Sequence, residues 1–251
     1  QSLWQWSIDH MPEFWDLLWD WHGIIGDKGG RIIANPNKMP GAEFFPGAQI
    51  NFAENLLANA DERLAISAHS EDGRITRLTR AELKQRVLAL AGWLQDHGVT
   101  PGDRVAAYTP NCVEAVITML ATASLGAVWS SCSPDFGKQG ALDRFGQIAP
   151  RLLFTADGYV YNGKACDSLT RAGDIAHLAI GEIGSRQIAA RAVGEGKSAC
   201  QRVGIAKETA HALDITGHRP ARGLHLRRGN AVGEEGRGAR LLQRNIGPEY
   251  R

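Results

Sequence analysis

Between residues 79 and 155, short apolar segments alternate with segments long enough for a helix, and this alternation limits the possible folds more than any other feature. The predicted strands and helices are strands 104–108, 127–131 and 152–155 and helices 79–98, 112–125 and 139–148. Strands that alternate with helices of about 10 to 15 residues are typical of βαβ units, whose strands run parallel. The sequence therefore predicts a doubly wound α/β domain, with a parallel sheet flanked by helices.

The first predicted helix has a clear start signal. Thr79, followed three residues later by Glu82, forms a capping box, in which the two side chains satisfy backbone amides at the start of a helix. The apolar residues that follow recur at steps of three and four and predict one buried stripe: Leu83, Val87, Leu90 and Leu94. Burial of each such side chain is worth ~1.5–3 kcal/mol, so this helix needs a core to pack against.

Two segments of different character precede that helix. Residues 1–60 are rich in Trp, Pro, Gly and Asn, with short amphipathic stretches at 14–21 and 52–57, and Gly and Pro recur too often between them for a long regular element. We expect this segment to wrap irregularly over a domain. Residues 64–69 and 75–78 flank an Asp-Gly turn signal and predict a hairpin.

The composition changes near residue 178. Residues 179–251 contain one of the 18 aromatic residues and carry 13 basic against 7 acidic side chains, without a sustained apolar period. Ordering such a stretch costs about 1.5 kcal/mol per residue, and it has little apolar surface to offset that cost. The predicted organisation is an N-terminal wrap at 1–60, an α/β unit at 61–178 and a mostly disordered tail at 179–251. The alternative is a basic tail that binds nucleic acid, although its arginines lack interleaved aromatic residues.

Several classes of protein and site are disfavoured. The four cysteines (112, 132, 166 and 200) form no CxxC pair, and the histidines have no metal-ligand spacing, so reduced thiols and no metal site are expected. The acidic N-terminus lacks the features of a signal peptide, and the longest nearly apolar run, 116–128, is shorter than a membrane span of about 20 residues. We expect a soluble, cytoplasmic protein with no membrane partner.

Five stretches carry a resemblance to a known family: WDLLWDWHGI, FFPGAQINFAENLL, PGDRVAAYTPN, AVITMLATASLGAVWSSCSPDFG and LDRFGQIAPRLLFTADGYVYNGK. In this order and spacing they resemble the N-terminal part of the acetoacetyl-CoA synthetases, also called acetoacetate–CoA ligases, from about Trp4 to about Ala176. These are acyl-adenylate-forming enzymes related to acetyl-CoA synthetase. The segments FPGAQINFAENLL and WSSCSPDFG are specific to that branch, whereas the GDRVA strand is shared more widely.

The resemblance implies a two-step ligase reaction of lipid metabolism. Acetoacetate attacks the α-phosphate of ATP to give an acyl-adenylate and diphosphate, and the CoA thiol then displaces AMP. Such chemistry uses Mg²⁺, a phosphate-binding loop and a lysine that stabilises the developing charge. In the family these parts lie downstream: the Ser/Thr/Gly-rich loop ending in Pro-Lys, the aromatic-Gly-x-Thr-Glu motif, a later Gly-Asp strand and a C-terminal catalytic lysine. This chain contains none of them, so no catalytic residue is assigned and the chain alone is expected to be inactive.

One binding contribution is implied within this portion. In related acyl-CoA synthetases the loop after the third strand and a basic residue further along help to hold the nucleotide end of CoA. Aligned on the Gly-Ala-Val segment, the loop falls on residues 133–136 and the basic position falls on Lys164. The candidate CoA-binding residues are therefore Ser133, Phe136, Tyr161 and Lys164, with Phe136 placed to pack on adenine and Lys164 to meet a phosphate as a point charge.

The chain departs from the relatives at three of these positions. Pro134 and Asp135 stand where the relatives have glycines, and Tyr161 stands where they have an arginine, so an acidic side chain would lie near a polyanion. A helix cap for Asp135 and a local ion pair for Arg144 are favoured over ligand roles. The plain alternative for Lys164 is a solvated loop lysine.

The resemblance fades just after residue 178, where the relatives continue into another apolar strand. The Gly/Ala/Arg-rich sequence that follows is typical of G+C-rich DNA read out of frame, and our hypothesis is a frameshift near residues 165–190. A sheet without its later strands would expose apolar edges. Three alternatives remain open: a ligase by descent that needs its missing portion, an inactive fragment, and a binding module with a basic tail.

Overall fold

The computed structural model describes residues 2–180 and two further short strands, at 188–189 and 203–205. It divides into two compact units, one formed by residues up to Ala58 and the other beginning at Asn59. Apart from residues 179–180 and the two strands, the predicted disorder of residues 179–251 and the alternative of a nucleic-acid-binding tail concern residues outside the described part.

The N-terminal unit is built from short elements. Its helices and strands are α1 (Leu3–Asp9), α2 (Met11–His22), β1 (Gly26–Asp27), β2 (Ile33–Ala34), β3 (Glu43–Phe44), β4 (Gln49–Ile50) and α3 (Phe52–Leu56). Strand β1 pairs with β4 and β2 with β3, both antiparallel. The region between α2 and α3 therefore contains only two-residue strands, as the frequency of Gly and Pro predicted. Helix α2 is longer than the predicted stretch 14–21, and α1 was not predicted.

Aromatic contacts and one lysine join α2 to the strand region of the same unit. Trp15 meets Phe44 edge to face, with ring centroids 5.1 Å apart, and Trp19 lies 4.9 Å from Phe45. Lys28 reaches back to Asp16 and Asp20 on α2, at 2.6 Å from each carboxylate. Aromatic pairs of this kind add about 0.5–1.5 kcal/mol to the free energy gained from the area they bury. Side-chain contacts therefore stabilise this unit, whose strands are only two residues long.

The second unit contains a hairpin followed by alternating strands and helices. Its elements are β5 (Leu64–His69), β6 (Ile75–Thr79), α4 (Arg80–Asp96), β7 (Arg104–Tyr108), α5 (Val113–Ser124), β8 (Val128–Cys132), a 3-10 turn (Pro134–Phe136), α6 (Gly137–Ile148), β9 (Leu152–Ala156), β10 (Gly158–Tyr161), β11 (Lys164–Asp167), α7 (Leu169–Ile180), β12 (Ile188–Ala189) and β13 (Val203–Ile205). The predicted hairpin, three strands and three helices are confirmed within one or two residues at each end. The β10–β11 hairpin and α7 were not predicted.

The main sheet has the strand order β12-β9-β7-β8, with β13 also paired to β9. Strands β7, β8, β9 and β12 are parallel, and β13 is antiparallel. The chain leaves β7 for β8 on one side and returns past it to β9 on the other, so right-handed crossovers place α5 and α6 on opposite faces. Helix α4 packs on α5 and α7 packs on α6. The predicted doubly wound α/β architecture is confirmed.

The central strand is buried on both faces. Ala106 and Tyr108 point to the α6 and α7 face, where they join a core with Phe145 of α6 and Ile175 of α7. Val105 and Ala107, of opposite side-chain parity, are also fully buried. Strands covered on both faces have continuous apolar sequences, and the two alanines leave room for the helices to approach closely.

The predicted capping box is present. The Thr79 hydroxyl accepts a hydrogen bond from the Glu82 amide at 3.2 Å, and the Glu82 carboxylate accepts one from the Thr79 amide at 2.8 Å. All four residues of the predicted stripe, Leu83, Val87, Leu90 and Leu94, are buried. Within the described part of the chain, no helix is long and apolar enough to cross a membrane.

We expect Thr79→Ala to lower the free energy of unfolding by about 1 kcal/mol, because it leaves the Glu82 amide without its cap. Thr79→Ser keeps the hydroxyl and is the matched control. Its expected loss of unfolding free energy is only a few tenths of the loss in Thr79→Ala. Urea unfolding followed by circular dichroism measures both. Equal losses in the two variants would show that the cap does not stabilise α4.

Candidate functional site

The candidate site lies at the carboxyl ends of the parallel strands. In open α/β sheets, ligands bind outside these ends, near the strand at which the chain reverses its direction of winding. Here that strand is β7, since β8 and β9 lie on either side of it. The turn that follows β8 and the β10–β11 hairpin that follows β9 both begin at this edge.

The turn after β8 is held by side chains on both sides. The Ser133 hydroxyl caps the 3-10 turn, accepting a hydrogen bond from the Asp135 amide at 3.4 Å and donating one to the Asp135 carboxylate at 3.0 Å. The fully buried Tyr108, the last residue of β7, donates its hydroxyl to the Pro134 carbonyl at 3.0 Å. The prediction that Asp135 caps a helix is wrong: Ser133 provides the cap, and Asp135 lies inside the turn.

Phe136 is exposed, and the guanidinium of Arg144 stacks on its ring. Its side chain is 57% accessible, and the Arg144 guanidinium lies 4.3 Å from the ring centroid. Arg144 also donates a hydrogen bond to the Gly140 carbonyl at 3.0 Å. A Cβ at Gly140 would lie 3.2 Å from the Phe136 Cβ, so glycine keeps this packing open. The predicted local ion pair of Arg144 is wrong for the described residues, because the guanidinium stacks on an aromatic ring instead.

Tyr161 and Lys164 face each other across the turn of the β10–β11 hairpin. The two residues between them, Asn162 and Gly163, have φ values of 50° and 72°. A two-residue turn with positive φ at both positions is the type I′ turn, for which Asn-Gly is the preferred sequence. Lys164 therefore begins a strand and is not a loop lysine. The Asn-Gly pair between alternating residues was the signal that would have located this hairpin in the sequence.

One face of this hairpin meets the turn after β8. Residues two apart on a strand share a face, as do directly paired residues on neighbouring strands. Tyr159, Cys166, Tyr161 and Lys164 therefore lie on the same face, where Tyr159 is paired directly with Cys166. Burial of Tyr159 and the neighbouring Asp135 carboxylate raise the pKa of its hydroxyl to about 12. The structure thus brings Ser133 and Phe136 into one turn and pairs Tyr161 with Lys164 on the hairpin.

Cations surround this region, and one of them was missed from the sequence. Arg171 on α7 interacts with the buried Tyr108 hydroxyl, where burial raises the tyrosine pKa and the guanidinium opposes that rise. Lys138 is paired with Asp174 at 2.8 Å. Arg171 lies in a helix that the sequence pattern did not predict, and only the fold brings it beside β7.

The chemistry that this arrangement provides is binding. An exposed aromatic ring and a lysine on a strand can hold a planar base and an anion. Among the described residues, no group of three His, Cys, Asp or Glu side chains is placed to hold a metal ion. No disulfide joins Cys112, Cys132 or Cys166, the three cysteines of this part of the chain.

Residues 52–210 match the family model described as AMP-binding enzyme. The chain belongs to the AMP-binding enzyme family. It is 49% identical over 162 residues to an acetoacetyl-coenzyme A synthetase of Rhizobium meliloti, covering 64% of this chain and 25% of that protein. It is 43% identical over 169 residues to an acetoacetyl-CoA synthetase of Xenopus tropicalis, covering 65% of this chain and 25% of that one.

A solved structure gives the same relationship. The chain resembles the acetoacetyl-CoA synthetase from Streptomyces lividans with a TM-score of 0.63 and 40% sequence identity, covering 70% of this chain and 28% of that one. The resemblance inferred from the sequence motifs is confirmed. The chain spans about a quarter of the length of the curated relatives it matches.

The hairpin geometry gives a stability test based on one pair of glycines. A Cβ would meet no atom within 4 Å at either Gly163 or Gly173, but Gly163 has a φ of 72° whereas Gly173 lies within α7. We expect Gly163→Ala to destabilise the protein by ~1–2 kcal/mol through backbone strain alone. Gly173→Ala, the matched control, is expected to stabilise it by ~0.5–1 kcal/mol because alanine favours a helix.

Chemical denaturation measures whether each substitution lowers or raises the free energy of unfolding. Equal changes in the same direction would show that the positive φ at Gly163 does not determine the effect of the substitution.

Proposed function

We propose that this chain is the N-terminal portion of an acetoacetate–CoA ligase. The observation that carries the proposal is the 49% identity, over 162 residues, to a relative named as acetoacetyl-coenzyme A synthetase. In the reaction, a carboxylate oxygen of acetoacetate attacks the α-phosphorus of ATP and diphosphate leaves. The sulfur of CoA then attacks the acyl carbon, and AMP leaves with the bonding electrons.

The proposed share of this chain in that reaction is to hold the nucleotide end of CoA. Phe136 offers an exposed ring for the adenine, and its stacked Arg144 stiffens the ring position. Lys164 supplies a compact positive charge for a phosphate, and the adjacent Tyr161 extends the same face. The Ser133 hydroxyl is already hydrogen-bonded to Asp135, so its proposed role is to fix the turn that presents Phe136.

ATP and Mg²⁺ belong to the proposed reaction but not to the site described above. Mg²⁺ is held by carboxylates together with substrate phosphates, and the described residues contain no cluster of carboxylates fitted to it. We therefore assign ATP and Mg²⁺ to the portion of the relatives that this chain does not span. We propose the cytoplasm as the compartment, because reduced thiols and these cosubstrates occur together there.

CoA binding by the 251-residue chain tests the site. We expect Lys164→Ala to weaken the affinity for CoA about tenfold, the loss typical of a hydrogen bond to a charged group. Lys84→Ala, which removes a lysine from α4, is the matched control and is expected to leave the affinity unchanged. Isothermal titration calorimetry with CoA and with 3′-dephospho-CoA shows whether Lys164 binds the 3′-phosphate. If it does, Lys164→Ala weakens the binding of CoA but not that of 3′-dephospho-CoA. Equal effects of the two lysine variants would contradict the assignment.

Catalysis is tested separately. We expect the chain alone to form no acetoacetyl-CoA from acetoacetate, ATP and CoA, and to support the reaction when it is co-expressed with the remaining three quarters of the Rhizobium meliloti relative. That remaining portion expressed without this chain is the control. Formation of acetoacetyl-CoA by this chain alone would contradict the proposal that the reaction needs the remaining portion.

Resequencing of the DNA from codon 160, with translation in all three frames, tests the frameshift hypothesis.

A further inference from the structure

The hydroxyl of Tyr108 is a buried polar group to which the proposed function assigns no role. Tyr108 is the last residue of β7 and is fully inaccessible to solvent. Its ring belongs to the core between the sheet and helices α6 and α7. Phenylalanine would fill most of the same space without the cost of burying a polar group. The presence of the hydroxyl therefore directs attention to the group that it binds.

That group is the carbonyl of Pro134, which accepts two hydrogen bonds. The Tyr108 hydroxyl donates one at 3.0 Å, and the Gly137 amide donates the other and closes the 3-10 turn. Phe136 lies between these two turn residues, and its own amide donates to the Ser133 carbonyl at 3.2 Å. Tyr108 therefore anchors the acceptor on which the turn around Phe136 depends.

A turn of this kind needs an anchor to keep a fixed position. Hydrogen bonds in a 3-10 turn have poorer geometry than those in an α-helix, so three residues gain little stability of their own. The bonds from Ser133 and Gly137 lie within the turn and fix its shape, but they do not join it to the sheet. The Tyr108 hydroxyl makes that connection, because it binds the turn from a neighbouring strand.

The ring of Tyr108 acts on the same site through α6. The guanidinium of Arg144 lies 4.3 Å from the centroid of the exposed Phe136 ring. The next residue of α6, Phe145, is fully buried in the core that contains Tyr108. Tyr108 therefore supports both members of the stacked pair, Phe136 through the Pro134 carbonyl and Arg144 through the packing of α6.

We propose that Tyr108 is a positioning residue of the CoA site: its buried hydroxyl holds the Pro134 carbonyl and thereby sets the direction in which Phe136 is presented to the adenine. This assignment rests on the proposed CoA role of Phe136. Tyr108 itself does not contact the ligand, because it is fully buried. A binding group that buried neighbours hold in place does not have to be ordered when the ligand binds, and this favours affinity.

The affinity for CoA tests the assignment. Tyr108→Phe removes the hydroxyl and keeps the ring in the core, and we expect it to weaken CoA binding about three- to tenfold, the effect of one lost hydrogen bond. Thr118→Val is the matched control, because Thr118 is also buried and donates its hydroxyl to the Glu114 carbonyl at 2.7 Å, within α5. It is expected to leave the affinity unchanged. An unchanged affinity in Tyr108→Phe, or equal losses in the two variants, would overturn the inference.

A double-mutant cycle shows whether Tyr108 acts through Phe136. Phe136→Leu removes the aromatic face but keeps an apolar side chain, so that binding of CoA stays measurable. In that background Tyr108→Phe is expected to cause little further loss, because both substitutions affect the same contact with adenine. Isothermal titration calorimetry with CoA measures the cycle. Fully additive losses in the double variant would contradict an action through Phe136.

Hydrogen exchange in the ligand-free chain separates this inference from the proposed function. Tyr108→Phe is expected to raise the exchange of the amides of residues 135–137, which the hydrogen bonds of the turn protect, whereas Thr118→Val leaves them unchanged. If the unchanged chain binds no CoA, the proposed function fails, and faster exchange at residues 135–137 still shows that the hydroxyl holds the turn. Exchange that Tyr108→Phe does not alter would overturn the inference whether or not CoA binds.

Discussion

The burial of β7 is the constraint on which the rest of the second unit depends. The strand is paired on both edges, with β8 and β9, and covered on both faces, and Val105 to Tyr108 are fully inaccessible to solvent. A strand in that position can only be apolar, except where a polar group has a partner. Tyr108 meets this condition by donating its hydroxyl to the Pro134 carbonyl. This hydrogen bond connects the core of the sheet directly to the turn at its carboxyl edge.

The same logic extends from the core to the candidate site. Tyr108 fixes the turn from below, and Ser133 fixes it from within. Tyr159 is buried on β10, and burial together with the nearby Asp135 carboxylate raises the pKa of its hydroxyl. The Tyr108 hydroxyl is buried, where the lack of an acceptor would cost about 1–3 kcal/mol, so its hydrogen bond to the Pro134 carbonyl fixes the turn against the sheet. Phe136, Tyr161 and Lys164 are exposed, and Phe136 carries its contact with the Arg144 guanidinium at the surface.

The sequence predicted the parts of this fold that arise from local periodicity. The capping box at Thr79 and the stripe from Leu83 to Leu94 follow from helical spacing, and the apolar strands follow from burial on both faces. The β10–β11 hairpin was not predicted, although the Asn162-Gly163 pair is the turn sequence that indicates it. The hydrogen bond between Tyr108 and Pro134 was beyond prediction, because side chains distant in sequence meet only once the sheet has set their separation.

The backbone conformation of the turn after β8 explains which of its residues is a glycine. Glycines are needed in a turn where φ is positive, yet φ is −66° at Ser133 and −70° at Phe136, values that any residue adopts. The positive φ falls on the next residue, Gly137, at 67°, and there glycine is present. Pro134 suits the first position of a 3-10 turn because its fixed φ is already correct and its missing N–H has no partner to lose. In this turn the Pro134 carbonyl accepts a hydrogen bond from the Tyr108 hydroxyl, and the Asp135 carboxylate accepts one from the Ser133 hydroxyl.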